Sequence, residues 1–208
     1  MKVKEIFENV FKIENDIYTK NLVPGVSVYG EKLLKINEIE YRFWDPFRSK
    51  PSAAIKNGLK IFPLKRNISI LYLGAASGTT VSHFSDIIEK GIIYAVEISE
   101  VPIVKLREVA RQRKNILPIL ADARKLETYS HFIISKVDLV YCDVAQPDEA
   151  RIFSDNLEKF GKENSYGMIA IKSRSIDVVK KPKEVYREVE SYLRERNFKI
   201  CLLYTSDA

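Results

Sequence analysis

The sequence predicts an α/β protein in which a doubly wound, Rossmann-like sheet follows a small N-terminal antiparallel β domain. From about residue 66 onward, short apolar runs alternate regularly with longer segments of helical periodicity, the pattern of a parallel sheet built from βαβ units. The strand-type runs are almost continuously apolar, as in Val137-Asp-Leu-Val-Tyr-Cys142, which is typical of strands covered on both faces. We therefore predict two units, residues 1–56 and residues 57–208.

The elements follow in order along the chain. The N-terminal unit has β-type runs broken by turn signals such as Pro24-Gly25. We expect its antiparallel strands around the apolar residues Val26, Val28, Leu33, Leu34 and Ile36. In the second unit, strands are predicted near residues 68–74, 92–98, 116–121, 137–143 and 166–172. Helices are predicted near residues 79–90, 101–114, 147–161 and 181–197.

Composition limits the class of protein. The 208 residues are 46% hydrophobic and 30% charged, as expected for a soluble globular protein with one good-sized core. No apolar run is long enough to span a membrane, and two cysteines favour an intracellular, cytoplasmic protein. The net charge of +6 permits a polyanionic partner, but a solvated basic surface explains it equally well.

The loop after the first parallel strand consists of small residues, which would let a ligand come close to its backbone. The strand stops at Gly74, and only small residues follow as far as Gly78, so a ligand can approach the main chain. We expect Thr79 or Thr80 to cap the helix that begins there, with its first N–H groups pointing over the loop. The spacing is G-x-x-x-G, which differs from the G-x-G-x-x-G of dinucleotide-binding proteins.

Acidic residues stand at the ends of the next three strands. Glu97 lies nineteen residues after Gly78, where a carboxylate can accept hydrogen bonds from two ribose hydroxyls. Asp122 and Asp143 end the third and fourth strands, and Lys172 ends the fifth. Because ligands of such sheets bind beyond the carboxyl ends of the strands, these side chains are expected to meet at one site.

This set of groups suits one cofactor in particular. We expect ribose at Glu97, the adenine amine at Asp122 beside Ala123, and a small zwitterionic group near Gly74 and Asp143. These positions describe S-adenosylmethionine, so the predicted sheet is that of an S-adenosylmethionine-dependent methyltransferase. NAD remains the alternative on this argument alone.

Lys172 is the predicted proton acceptor. Asp143, on the neighbouring strand, can orient it, and Lys50 can add a second ammonium that makes deprotonation easier. Neither His83 nor His131 has other potential metal ligands near it at a ligand spacing in the sequence. We therefore expect structural roles for both and no metal site.

Several longer segments resemble archaeal fibrillarin, a family of RNA-guided ribose 2′-O-methyltransferases of box C/D ribonucleoproteins. The segments span nearly the whole chain: residues 40–50, 71–83, 94–97, 122–124, 143–148 and 171–177. The resemblance implies a catalytic role for Lys50, Asp143 and Lys172. Including the neighbouring loop residues, we expect cofactor contacts from Gly74, Ala75, Thr79, Thr80, Glu97, Ile98, Asp122, Ala123, Asp143, Val144, Ala145 and Gln146.

The resemblance also implies partners and a missing residue. The partners would be a box C/D guide RNA, a Nop-type scaffold protein, a kink-turn-binding subunit resembling a ribosomal protein, and rRNA or tRNA as substrate. The family places a fourth catalytic residue, a histidine, in a C-terminal strand hairpin, whereas this chain continues from Cys201 to Ala208 without one. We therefore expect that hairpin to be incomplete, with no residue assigned to the fourth position. A non-catalytic, cofactor-binding assembly subunit and a nicotinamide-dependent oxidoreductase are the alternative functions.

Overall fold

The computed structural model describes residues 2–203, which form two five-stranded sheets. The first sheet is antiparallel, in the order β1-β2-β3-β5-β4. Its strands are β1 (Val3–Phe7), β2 (Val10–Ile13), β3 (Asp16–Lys20), β4 (Leu33–Ile36) and β5 (Ile39–Phe43). Tight hairpins join β1 to β2, β2 to β3 and β4 to β5. Asn9 in the first hairpin and Asn37 in the third have positive φ, a conformation that asparagine tolerates better than most residues.

The prediction for Val26 and Val28 is wrong, because both lie in the loop between β3 and β4. The Val26 N–H donates to the carbonyl of Val23 in a turn, and the Val28 N–H donates to the Glu31 carboxylate at 3.0 Å. These donors are therefore not available for strand pairing. The sheet instead takes its first three strands from residues 3–20, which the sequence analysis had not divided into strands.

The second sheet is parallel, in the order β10-β9-β6-β7-β8. Its strands are β6 (Ser69–Leu73), β7 (Ile92–Glu97), β8 (Ile116–Leu120), β9 (Val137–Cys142) and β10 (Gly161–Ile169). The strand order changes direction between β6 and β9, which pair with each other. That switch point is where such sheets bind ligands.

The helices cover both faces of the parallel sheet. They are α1 (Lys50–Lys56), α2 (Thr79–Ile87), α3 (Glu100–Gln112), α4 (Glu149–Phe160), α5 (Ser173–Ile176) and α6 (Pro182–Glu195). Along β6, Ile70 and Tyr72 face the core shared with α2 and α3, while Leu71 and Leu73 face the core shared with α4 and α6. The doubly wound α/β fold is thus confirmed. Among residues 2–203, no helix is both long and apolar enough to cross a membrane.

The fifth parallel strand ends earlier than predicted. Pairing with β9 stops where the Ala170 N–H donates to the carbonyl of Cys142, so Lys172 lies beyond the strand instead of in it. The Lys172 N–H donates to the side chain of Glu149 on α4, which draws the chain away from the sheet and into α5.

A buried ionic cluster joins the two sheets. The Asp86 carboxylate, on α2, accepts hydrogen bonds from Arg42 of β5 at 2.8 Å and from Arg113 after α3 at 2.5 Å. It also accepts one from the Thr19 hydroxyl of β3 at 2.7 Å. All of these side chains are almost fully buried. His83 belongs to the same junction, since its Nδ1 lies 2.8 Å from the Thr19 hydroxyl.

Candidate active site

A cleft of about 270 Å³ opens at the carboxyl edge of the parallel sheet, across the switch point. Its walls are the loops that follow β6, β7, β8 and β9, together with Lys172. Nine of the twelve predicted cofactor residues line it: Gly74, Glu97, Ile98, Asp122, Ala123, Asp143, Val144, Ala145 and Gln146. The sequence analysis missed Ala76, Val96, Ser99, Ala121, Arg124 and Ile152, which also line it.

Glu97 is a fixed hydrogen-bond acceptor in this cleft. It is the last residue of β7 and is buried. Its Oε2 accepts the N–H of Ala76 at 2.7 Å, and its Oε1 accepts the N–H of Ser99 at 2.8 Å. Each carboxylate oxygen has a second lone pair, so two further donors can still bind to an already oriented group.

The two glycines of the loop have different roles. Gly74 has a φ of +80°, and a Cβ there would lie 2.8 Å from the carbonyl oxygen of Asp143. Gly74 therefore lets the loops after β6 and β9 touch. Gly78 has a φ of +90°, and its Cβ would lie 2.9 Å from Leu106 Cδ1 on α3. The expectation that Gly78 clears space for a ligand is wrong, because a side chain at this position would point at Leu106 in the core and not into the cleft.

The remaining predicted residues of this loop lie beside the cleft, outside its lining. Ala75 is buried in the core shared with α2. The predicted threonine cap is wrong: Gly78 occupies the capping position without a side-chain hydrogen bond, and α2 begins at Thr79. The Thr80 hydroxyl instead donates to Ser49 Oγ at 3.0 Å.

The loop after β8 presents a carboxylate on a rigid support. Arg124 donates to the Asp122 carboxylate, with Nη2 2.8 Å from Oδ2, and this hydrogen bond holds the pKa of Asp122 below its usual value. The carbonyl of Ala123 accepts hydrogen bonds from the buried Tyr129 hydroxyl at 3.2 Å and the buried Asn156 amide at 3.0 Å. This loop is therefore anchored to the interior.

Lys50, Asp143 and Lys172 meet at the edge of the cleft, although they are far apart in the sequence. Asp143 Oδ1 lies 2.6 Å from Lys50 Nζ and 2.9 Å from Lys172 Nζ. Lys172 Nζ also donates to the carbonyl of Asp143 at 2.7 Å. Side-chain exposure is 14% for Asp143, 27% for Lys172 and 49% for Lys50. One carboxylate thus holds two ammonium groups, one from each predicted unit.

A second acid behind this cluster escaped the sequence analysis. Glu149 is the first residue of α4 and is 1% exposed. Burial raises its pKa to about 7, against the opposing effects of the Lys172 N–H and of the two ammonium groups. Its sequence signal was weak, because a glutamate in the first turn of a helix is common for electrostatic reasons alone.

The two histidines lie away from the cleft. His83 is buried at the junction of the sheets, and His131 is exposed in a short turn beside Phe132. Within residues 2–203 there is no group of three or more His, Cys, Asp or Glu side chains that could hold a metal ion. The C-terminal residues 204–208, where the family's hairpin would continue, lie outside the described residues.

Comparison with known proteins agrees with this geometry. The family model described as Fibrillarin matches residues 1–205. A fibrillarin-like rRNA/tRNA 2′-O-methyltransferase from Methanocaldococcus jannaschii is 49% identical over 205 residues, covering 96% of this chain and 89% of the relative.

Two solved structures have the same architecture. Fibrillarin of Aeropyrum pernix, in complex with natively bound S-adenosyl-L-methionine, has a TM-score of 0.90 and 43% identity, covering 100% of this chain and 93% of that one. A chain from a fibrillarin/Nop5p complex has a TM-score of 0.85 and 44% identity, covering 92% of this chain and 88% of that one. The present chain therefore belongs to the fibrillarin family.

Proposed function

We propose that this chain transfers the methyl group of S-adenosylmethionine to ribose 2′-hydroxyls of rRNA and tRNA. The observation that carries the proposal is the meeting of Lys50, Asp143 and Lys172 beside a cleft of cofactor size. The activity is the one named for the relative from Methanocaldococcus jannaschii. The cofactor is the one bound by fibrillarin of Aeropyrum pernix.

The residues of the cleft fit this cofactor. Glu97 would accept the two ribose hydroxyls through lone pairs that its backbone hydrogen bonds leave free. Asp122 would accept the adenine amine, sharing its carboxylate with Arg124, whose side chain is 41% exposed and can move aside. Gly74 and the loop Asp143–Gln146 would surround the amino acid end.

The cofactor, when bound, supplies an electrophilic methyl group on a positively charged sulfur. The protein must then hold the ribose in line with that methyl group and take the hydroxyl proton. We assign the proton to Lys172 Nζ, once this group is a neutral amine. Asp143 fixes its position through the contact at 2.9 Å, and Lys50 binds the same carboxylate oxygen at 2.6 Å.

The partners follow from the family. We infer that the chain assembles with a Nop-type scaffold protein, as in the fibrillarin/Nop5p complex. A box C/D guide RNA and a kink-turn-binding subunit would complete the particle, with base pairing selecting the target nucleotide. The cytoplasmic location stays a prediction.

Single-turnover methylation by the assembled particle tests the proposal. Lys172→Ala should abolish methyl transfer yet leave the calorimetric Kd for S-adenosylmethionine within about twofold, because the side chain acts on the proton. Lys172→Arg should not rescue, since a guanidinium stays protonated at any usable pH. The matched control is Lys105→Ala on the exposed side of α3, which should behave as wild type.

The outcomes separate the alternatives. Cofactor binding without methylation by the wild-type particle would indicate an assembly subunit, and preferential binding of NAD would indicate an oxidoreductase. Full activity of Lys172→Arg would show that this side chain supplies only positive charge.

A further inference from the structure

The carboxyl group of Glu149 lies directly behind the proposed base. Its Oε1 accepts the backbone N–H of Lys172 at 3.0 Å. Its Oε2 is buried and has no hydrogen-bond partner among the described residues. A buried carboxylate oxygen without a donor is costly when ionised. The ionisation of Glu149 is therefore sensitive to the charges around it.

The charged groups that act on Glu149 are the side chains of the proposed reaction centre. Lys172 and Lys50 favour its ionised form, whereas Asp143 disfavours it. Burial, together with the charge of Glu149, raises the pKa of the Cys142 thiol at the end of β9 to about 12. On its own helix, the neighbouring charges Asp148 and Arg151 pair with each other. Glu149 therefore interacts with all three side chains proposed to act in catalysis.

We propose that Glu149 is a positioning residue that holds the backbone of Lys172 in place and, through its own charge, sets the pH dependence of methyl transfer. The inference rests on the proposed function of Lys172 as the proton acceptor. With Glu149 ionised, two carboxylates balance the ammonium groups of Lys50 and Lys172. With Glu149 protonated, one of these two negative charges is lost.

Glu149→Gln tests this idea, because the amide keeps an acceptor for the Lys172 N–H but carries no charge. The pH at which guided methylation rises should move to lower pH by about one unit. Between about pH 7, where the Glu149 carboxyl ionises, and that rise, the variant should be faster than wild type by up to about tenfold. Glu108→Gln, an exposed glutamate of α3, is the matched control and should leave the profile unchanged. Superimposable profiles for Glu149→Gln and wild type would overturn the proposal.

A second measurement needs no catalysis and uses the wild-type chain. Carbon-13 NMR of the labelled Glu149 carboxyl should show a titration near pH 7, in line with its pKa of about 7. The Lys172 side-chain resonance should move over the same interval. A Lys172 side-chain resonance that does not respond while this carboxyl titrates would overturn the proposal even if Glu149→Gln failed to fold. An inactive wild-type particle with a coupled NMR titration would instead refute only the proposed function.

Discussion

Replacing Asp86 by asparagine should strongly destabilise the whole chain. The substitution keeps the shape of the side chain but removes the charge that faces Arg42 and Arg113, at 2.8 and 2.5 Å. Arg42 retains Glu31 as a partner, whereas Arg113 keeps only neutral acceptors such as the Asn21 side chain. Breaking a buried ion pair from one side costs about 3–5 kcal/mol. At about 2–4 °C per kcal/mol for a protein of this size, the midpoint should fall by roughly 6–20 °C.

Thermal unfolding followed by two probes measures this effect. Trp44, the single tryptophan, is fully buried and stacks on His83 with 5.1 Å between ring centroids, so its fluorescence reports the junction. Far-ultraviolet circular dichroism reports mainly the helices, most of which cover the parallel sheet. The two transitions should coincide in the wild type. Asp16→Asn, which removes an exposed pair with Lys56, should cost less than about 1 kcal/mol. If Asp86→Asn lowered the free energy of unfolding by less than about 1 kcal/mol, the buried ion pairs of Asp86 would not stabilise the chain as argued. Separate transitions in the wild type would show that the two predicted units fold independently.

Three further outcomes are expected. Glu97→Ala should weaken S-adenosylmethionine binding by about 1–3 kcal/mol, because a buried charged acceptor is lost; an unchanged calorimetric Kd would contradict the ribose assignment. Gly78→Val should lower the unfolding midpoint, because its Cβ would lie 2.9 Å from Leu106 and its φ is +90°. A variant with the wild-type midpoint and no cofactor binding would instead show that Gly78 clears space for the ligand. His83 has a pKa well below 6.5 because it is buried and lies near two arginines. Only the unfolded chain then takes up its proton, so the contribution of His83 to stability should fall by up to about 1.4 kcal/mol per pH unit below pH 6.5. Denaturant unfolding should show this slope as the difference between wild type and His83→Gln, and no such difference between wild type and His131→Gln.

The edge of the sheet could be predicted because parallel strands bring their carboxyl ends together. Glu97, Asp122 and Asp143 were predicted at the carboxyl ends of three strands of one parallel sheet, and this was enough to place all three in one cleft. The orientation of Gly78 could not be predicted in this way, because it depends on how closely α3 packs against the loop. Glu149 escaped for the same reason, since its burial follows from the packing of α4 against the chain after β10.

The meeting of Lys50 with Asp143 depends on a hydrogen-bond chain that spacing alone does not reveal. Ser49, which precedes α1, is buried, and its hydroxyl accepts hydrogen bonds from the Trp44 indole at 2.8 Å and from Thr80 at 3.0 Å. Thr80 stands in the first turn of α2, directly after the small-residue loop of the cleft. The segment that carries Lys50 is therefore tied to the same turn that ends the cofactor loop.

This arrangement extends the proposed reaction centre to the N-terminal unit. Because Lys50, at the start of α1, reaches Asp143, any movement of the two sheets against each other would change the proposed reaction centre. A displacement of about 1 Å at such a site can cost two orders of magnitude in rate. The buried ions around Asp86 resist that movement, since sliding would separate charges that are out of reach of water. The buried ionic junction thus supports the proposed catalytic cluster, because rigidity between the sheets maintains the contact between Lys50 and Asp143.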